Sequence, residues 1–75
     1  MIRKGMWVVN DQGEIGIANA VAPDGTVEFH KVAPDGFTEL AVMVHISALV
    51  QARFREIPEP RRTLTKEQFA ALGYV

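Results

Sequence analysis

The chain has no cysteine among its 75 residues, and this absence removes several classes of site. It excludes a disulfide framework, a thiolate nucleophile and any zinc site with cysteine ligands. The apolar run at residues 6–9 is far too short for a signal-peptide core or a membrane span. We therefore expect a cytoplasmic protein with no membrane partner.

Basic residues are scarce in the first two-thirds of the chain. Residues 1–50 contain three Lys and Arg side chains against six Asp and Glu, whereas residues 51–75 contain five against three. Affinity for nucleic acids comes largely from neutralising phosphates, so a surface that binds them should be basic. Any contact with RNA or DNA would therefore depend on the last part of the chain, which holds Arg53, Arg55, Arg61 and Arg62.

The hydrophobic residues, 48% of the chain, are enough for a globular core and occur in short alternating segments typical of β-strands. These segments predict strands at residues 5–10, 14–22, 26–32 and 39–46, and a fifth, brief strand at residues 50–54. Between the last two, Ser47 is expected to cap a single helical turn. A single all-β domain is the predicted class.

One five-residue sequence, V-A-P-D-G, occurs twice, at residues 21–25 and 32–36. Proline favours the first corner of a type I turn, and aspartate and glycine suit the positions that follow. We interpret the repeat as two hairpin turns that flank one strand, and the alternative is a duplicated binding loop. Because the turns reverse the chain, their loop lengths determine which residues face each other.

The first hairpin has a predictable register. If Ala22 pairs with Thr26 across a three-residue loop, Ile17 faces Lys31 and shares the face of Val27. The second hairpin requires a two-residue loop if its apolar residues are to face each other, so we leave its register open.

The C-terminal segment is predicted to contain one short helix. Pro58 and Pro60 indicate an extended stretch before it. Thr65 and Gln68 have the spacing of a capping box, with Leu64 and Phe69 at the positions of a hydrophobic staple. Gly73 is expected to end the helix and Tyr74 to fold back on Phe69. A helix this short must dock on something, either this chain's own strands or another molecule.

The order of five short strands, with a helical turn before the last, is similar to that of an SH3-like small barrel. The N-terminal part also resembles a KOW-type domain at Gly5, Trp7, Val9, Gly16 and Ile17, with Val27 and Phe29 beyond the turn. The resemblance implies a five-stranded SH3-like barrel over residues 1–55, with Trp7 and Val9 inside, followed by a Pro/Arg segment and short helix over residues 56–75. Domains of this type bind RNA, ribosomes or transcription proteins.

No constellation of catalytic residues is evident. The histidines, His30 and His45, are predicted to face Ala41 and Thr26 across neighbouring strands, too far apart for a shared metal. Ser47 lies near His45 but lacks the acid that a catalytic triad requires. We therefore predict a protein that is not an enzyme and has no cofactor.

The most favoured function is a module that binds a protein partner within a larger bacterial or phage assembly. The alternative is a KOW-like module that binds RNA or DNA through the basic C-terminal segment, and a homo-oligomer is a further option. Trp7 belongs to the core, or, if the first predicted strand is shifted by one residue, to an exposed stacking site. The candidate partner-binding residues are Met6, Val8, Met43, Arg53, Arg55, Arg61, Arg62, Phe69 and Tyr74.

Overall fold

The computed structural model describes residues 1–62, without the side chain of Arg62, and residues 64–72. Its strands are β1 (Met6–Val9), β2 (Ile15–Val21), β3 (Thr26–Val32), β4 (Glu39–His45) and β5 (Arg55–Ile57). Its helices are α1 (Ile46–Gln51), a 3-10 turn (Pro60–Arg62) and α2 (Lys66–Ala71). The strands form one antiparallel sheet in the order β4-β3-β2-β1-β5. The predicted small, mostly β domain with a short C-terminal helix is confirmed at this level.

A β-bulge at Asn19 divides β2 into two registers. After the bulge, Val21 pairs with Val27 as predicted, whereas before it Ile17 faces His30, one residue away from its predicted partner. A one-residue shift moves side chains to the opposite face of a sheet. The prediction that Ile17 shares the face of Val27 is therefore wrong, and β2 supplies apolar residues to both faces.

One face of the sheet packs against α1, and we call it the α1 face. Phe29 of β3 lies at its centre, where its ring meets Phe54 edge-on with the ring centroids 5.1 Å apart. Gly16 on the neighbouring strand is essential to this packing, since an added Cβ would lie 2.2 Å from Cζ of Phe29. The buried core of this face consists of Ile2, Met6, Val8, Ala18, Val27, Phe29 and Leu49.

Two candidate partner-binding residues are in that core. Met6 and Val8 are only 7% and 0% exposed, so they lack the accessible surface that a partner-binding residue requires. The reason is that β1 lies between β2 and β5 and is covered on both faces, which also buries Trp7 and Val9. Trp7 is therefore a core residue, and neither Met6 nor Val8 is accessible to a partner.

The opposite face packs against the C-terminal segment, and we call it the C-terminal face. Here Trp7, Ile15 and Val32 form a second buried cluster with Phe69 of α2, which is 1% exposed. Ile17, released to this side by the bulge, packs against the same cluster. Helix α2 thus docks on the sheet of its own chain. Phe69, a candidate partner-binding residue, is occupied by that contact.

The start of α2 agrees with the predicted capping box. Oγ1 of Thr65 accepts the backbone N–H of Gln68 at 3.1 Å, and Oε1 of Gln68 accepts the backbone N–H of Thr65 at 2.9 Å. Leu64 packs on the same cluster as Phe69, as the staple predicts. The predicted roles of Gly73 and Tyr74 lie outside the described residues.

The fifth strand begins later than predicted. Residues 50 and 51 belong to α1, and β5 starts at Arg55, so the predicted strand at residues 50–54 is wrong. In β5, Arg55 pairs with Val9 and Ile57 pairs with Trp7. The sequence of β5 has little strand character of its own, and the pairing with β1 determines its conformation.

A Schellman motif ends α1. The backbone N–H of Arg53 donates to the carbonyl of Val50 at 3.0 Å, and that of Phe54 donates to the carbonyl of Leu49 at 3.2 Å. Arg53 takes the left-handed conformation of this motif, with φ of 61°. The motif directs Phe54 back onto Leu49, and both side chains join the α1 face.

The two copies of V-A-P-D-G form hairpin turns, as interpreted from the sequence. The backbone N–H of Ala22 donates to the carbonyl of Thr26 at 2.8 Å, closing the predicted three-residue loop. In the second copy the N–H of Ala33 donates to the carbonyl of Thr38, also at 2.8 Å, around a longer loop. Phe29 consequently faces Val42 in β4.

Candidate functional site

An open apolar groove lies at the end of the sheet where β3 ends and β4 begins. Its volume is about 490 Å³. The rings of Phe29 and Phe54 line it, and Leu40 of β4 stands at its edge with 64% of its surface exposed. The remaining lining residues are Glu14, Ile15, Lys31, Val32, Ala33, Pro34, Thr38 and Glu39.

The charged rim of the groove is partly neutralised within the chain. Glu14 accepts a hydrogen bond from Nδ2 of Asn10 at 2.9 Å, and Glu39 contacts His30 and Arg61. Lys31 has no ion pair among the described residues. Lys31 is therefore the positive rim charge without an ion pair among the described residues, and Glu14, which is hydrogen bonded to Asn10, is the negative one.

A chain of polar contacts, the His30 network, runs across the C-terminal face from β2 to the C-terminal segment. Nε2 of His30 lies 2.9 Å from Oε2 of Glu28, and its Nδ1 lies 2.7 Å from Oε1 of Glu39. Glu28 also accepts from Nδ2 of Asn19 at the bulge, and Glu39 also pairs with Arg61. The network thus links the bulge, the two hairpin strands and the C-terminal segment.

The two carboxylates favour the charged form of His30. A neutral imidazole can donate from only one nitrogen, whereas here both nitrogens face carboxylate oxygens. The hydrogen bond to Glu39, followed by that to Glu28, raises the pKa of His30 above 6.5. In return, Arg61 and then His30 lower the pKa of Glu39, and His30 and then Asn19 lower that of Glu28. The network is a set of mutually satisfied charges with a structural role.

Arg61, one of the predicted partner-binding arginines, joins the C-terminal segment to the second hairpin turn. Its Nε donates to the carbonyl of Gly36 at 2.6 Å, and its guanidinium carbon lies 5.0 Å from the ring centroid of Trp7 and 5.4 Å from that of Phe37. Its side chain is 24% exposed and also pairs with Glu39. Arg61 is therefore engaged inside the molecule.

The other predicted arginines do not converge with Arg61. Arg53 lies at the end of α1, where its Nη1 is 3.7 Å from Oδ2 of Asp11, and both side chains are largely exposed. Arg55 is exposed at the start of β5. The side chain of Arg62, like all of Tyr74, lies outside the described residues. Of the described candidate arginines, Arg61 is held by Glu39 and Gly36, Arg53 contacts Asp11, and Arg55 is exposed.

His45 has a capping role that the sequence assigned to Ser47. His45 is the N-cap of α1, and its Nδ1 accepts the backbone N–H of Ser47 at 3.2 Å. Nδ1 also lies 2.8 Å from Oγ of Ser47, while Nε2 contacts the backbone carbonyl of Asp24 at 3.1 Å. The predicted Ser47 cap is therefore wrong. Because Nε2 meets a carbonyl rather than a carboxylate, the pair lacks the orienting acid of a triad.

Of the predicted partner-binding residues that the structure describes, Met43 is the apolar one that is accessible. It is 66% exposed on β4, an edge strand of the sheet. Leu40 and Phe54, which border the groove, fall in the strands predicted at residues 39–46 and 50–54 and were not among the candidate partner-binding residues. Their place at the groove depends on where the sheet ends, which the alternation of apolar residues does not show.

Among residues 1–62 and 64–72, no group of three or more His, Cys, Asp or Glu side chains is arranged to hold a metal ion. Neither helix in that part of the chain has the length and apolar character needed to cross a bilayer. No protein family, curated protein or solved structure matches this chain.

Proposed function

We propose that this chain is a non-enzymatic interaction module that binds a protein partner in the apolar groove, as part of a larger bacterial or phage assembly. The observation that supports it best is the groove itself. The C-terminal segment and α1 cover much of both sheet faces, yet the exposed Leu40 and the half-buried Phe54 leave an apolar groove open at one end, lined also by the buried Phe29. Such a surface is typical of an interaction site.

The chemistry of the groove suggests the kind of partner. Its walls are apolar and suit one large aliphatic or aromatic side chain. Lys31 supplies the unpaired positive charge at the rim, whereas Glu14 and Glu39 are already hydrogen bonded. We therefore propose a protein segment that presents an apolar residue next to an acidic one.

We further propose that the sheet is an SH3-like barrel related to KOW-type domains. The order β4-β3-β2-β1-β5, with a short helix directly before β5, supports this proposal. So does the close contact of Gly16 with Phe29, at a position that the resemblance includes. Fold likeness does not by itself determine the partner.

We also propose that this chain is not an enzyme. His30 is enclosed by two carboxylates that satisfy both its nitrogens, and His45 caps α1. Neither histidine lines the groove. A general base would instead require a free nitrogen within reach of a bound substrate.

Binding of RNA or DNA remains the alternative proposal, with less support. Arg53 and Arg55 are exposed, but Arg61 is held by Glu39 and by the carbonyl of Gly36. Titration with generic RNA and duplex DNA tests it. Binding that weakens steeply with salt, and that Arg53→Ala with Arg55→Ala reduces, would support this alternative over a protein partner.

Selection from a random peptide-display library tests the proposed function. We expect peptides with an apolar residue next to an acidic one, and expect Ala33→Trp, which fills the groove, to weaken their binding at least tenfold. Ala70→Trp, the same change on the exposed surface of α2, is the matched control and should leave binding unchanged. Failure to enrich any peptide, or equal binding by the Ala33→Trp variant, would contradict the proposal.

A further inference from the structure

The two edges of the sheet differ in their protection against pairing with another chain. β5 has only three residues, two of which are charged, and Pro58 follows it. β4 has seven residues, without Lys, Arg or Pro, and its pairing with β3 contains no bulge. Short strands, charges, prolines and bulges are the means by which edge strands avoid pairing. β4 lacks all four.

The outer edge of β4 presents a regular row of main-chain groups. At one end of the β3–β4 ladder the N–H of Ala33 donates to the carbonyl of Thr38, and at the other end the N–H of Ile46 donates to the carbonyl of Gly25. These two residue pairs are separated by an odd number of pairs, so both belong to the hydrogen-bonded kind. Hydrogen-bonded and non-hydrogen-bonded pairs alternate in an antiparallel ladder. The residues of β4 that direct their N–H and C=O groups away from β3 are therefore Glu39, Ala41 and Met43, together with the N–H of His45, whose carbonyl begins the hydrogen bonding of α1.

We propose that two copies of this chain pair antiparallel along β4, about a twofold axis at Val42. The seven-residue strand is self-complementary in this register. It pairs Val42 with itself, Leu40 with Val44, Ala41 with Met43, and Glu39 with His45 of the other copy.

Two features select this register. First, in this register the residues whose main-chain groups point away from β3 lie opposite each other, so that Ala41 of one copy and Met43 of the other form a hydrogen-bonded pair. A shift by one residue would instead oppose outward groups to groups already bonded to β3. Second, apolar residues meet on both faces, and an acidic residue meets a histidine at each end, so that no like charges face each other. The pairing also covers Leu40 and Met43, which are 64% and 66% exposed in the single chain.

This dimer goes beyond the proposed function and does not depend on it. The dimer forms through main-chain groups of β4 in the plane of the sheet, whereas the groove is formed by side chains between Leu40 and Phe54, so that only Glu39 and Leu40 are common to both. The two proposals can consequently fail separately. Ala33→Trp tests the groove, and substitutions on the outer edge of β4 test the dimer.

Light scattering during size-exclusion chromatography, from micromolar to millimolar protein, tests the dimer. We expect the mass of two chains, and expect Ala41→Pro to shift the dissociation constant upward at least tenfold. Proline is tolerated at this position because the lost N–H points away from β3. Met43→Lys, which keeps every N–H but adds an edge charge, is the second variant and should act in the same direction. Circular dichroism checks that each variant is folded.

Disulfide trapping tests the register directly, because the chain has no cysteine of its own. Residues of a hydrogen-bonded pair have Cα atoms about 5.5 Å apart, within the range of a disulfide. A mixture of the Ala41→Cys and Met43→Cys variants should therefore crosslink faster than either variant alone. A single-chain mass at every concentration, a dimer unaffected by both edge variants, or equal crosslinking of Ala41→Cys with itself would overturn the proposal.

Discussion

Arg53 occupies a conformation that its side chain disfavours. It is the non-glycine residue with positive φ in the described part of the chain, and its guanidinium makes only a 3.7 Å contact with an exposed carboxylate. The left-handed conformation costs a residue with a Cβ about 1–2 kcal/mol. Its position at the end of α1 is one that glycine usually fills.

Arg53→Gly should therefore stabilise the protein, by about 1 kcal/mol in the free energy of unfolding, since glycine accepts this φ without strain. Urea denaturation monitored by circular dichroism measures the change. Gln51→Gly, two residues earlier inside α1, is the matched control and should destabilise by about 0.5–1 kcal/mol. Equal effects of the two substitutions would contradict the strain at Arg53.

The two repeated turns differ in what their glycines contact. An added Cβ at Gly25 would lie 2.6 Å from Nε2 of His45, whereas at Gly36 it would lie 2.6 Å from the ring of Phe69. The first turn thus packs on the cap of α1 and the second on α2. Each copy of V-A-P-D-G therefore forms a turn that also packs against a helix or its cap.

Gly36→Ala should destabilise the protein more than Gly5→Ala does. Both glycines have φ near +80°, but nothing lies within 4 Å of the Cβ position at Gly5. Conformational strain of about 1–2 kcal/mol is common to both, and the Gly36 variant adds overpacking against Phe69 of about 1–3 kcal/mol. Equal urea midpoints for the two variants would mean that α2 does not dock on this turn.

The His30 network makes stability depend on pH. The pKa of His30 is raised in the folded state, so its contribution to stability is complete below the unfolded value near 6.5 and is lost as the pH rises through the folded value. Glu28, Glu39 and Arg61 are the charged groups that face it. The free energy of unfolding should therefore fall on the alkaline side of pH 6.5.

His30→Gln should flatten this alkaline decline, because glutamine does not titrate. Urea denaturation across the pH range measures the slope, and titration of the imidazole C–H resonance in NMR spectra measures the pKa of His30. His45→Gln is the control and should retain the His30-dependent decline. An unchanged slope in the His30→Gln variant would contradict the charged state assigned to His30.

At the scale of elements, local sequence patterns predicted the strands and turns better than they predicted how the strands pair. The strands β1 to β4, the first turn and the capping box at Thr65 each follow from alternation, turn residues or spacing within a few residues. The bulge at Asn19 leaves no such signal, and it alone moves Ile17 to the C-terminal face. β5 was misplaced because its pairing with β1, rather than its composition, makes it a strand.

The same limit explains the errors in the candidate site. Alternation shows that Met6 and Val8 share a face, but it does not show that both faces of β1 are covered. Whether α2 docks on its own chain also depends on contacts far apart in sequence, between Phe69 and residues such as Trp7. The groove and the exposure of Leu40 follow from where the sheet ends, which only the assembled strands define.

Phe69→Ala tests the docking of α2. Removing this fully buried ring should cost about 3–5 kcal/mol and expose Trp7, shifting its fluorescence to longer wavelength. Leu72→Ala, at a site on the same helix that is 51% exposed, is the control and should change stability by less than about 1 kcal/mol. We also expect faster amide exchange in β1 of the Phe69→Ala variant, because α2 no longer covers that strand. Unchanged exchange would indicate that α2 does not cover the sheet.

At the scale of the whole molecule, coverage of the sheet determines where a partner can bind. α1 packs on one face, and the C-terminal segment packs on the other through Phe69 and Arg61. In the part of the chain that the structure describes, the groove beside Phe54 and the outer edge of β4 stay open. The arginines that looked like an anion site in the sequence are dispersed or engaged, so a protein partner is the better supported proposal.

The central claim is that a partner segment enters the groove while the rest of the molecule keeps its contacts. Backbone amide chemical shifts, recorded in two-dimensional NMR spectra as a library-selected peptide is added, test it most directly. We expect changes at Val32, Leu40 and Phe54, with the amides of Trp7 and Phe69 unaffected. Changes confined to Arg53 and Arg55, or displacement of Phe69 from the sheet, would contradict the account.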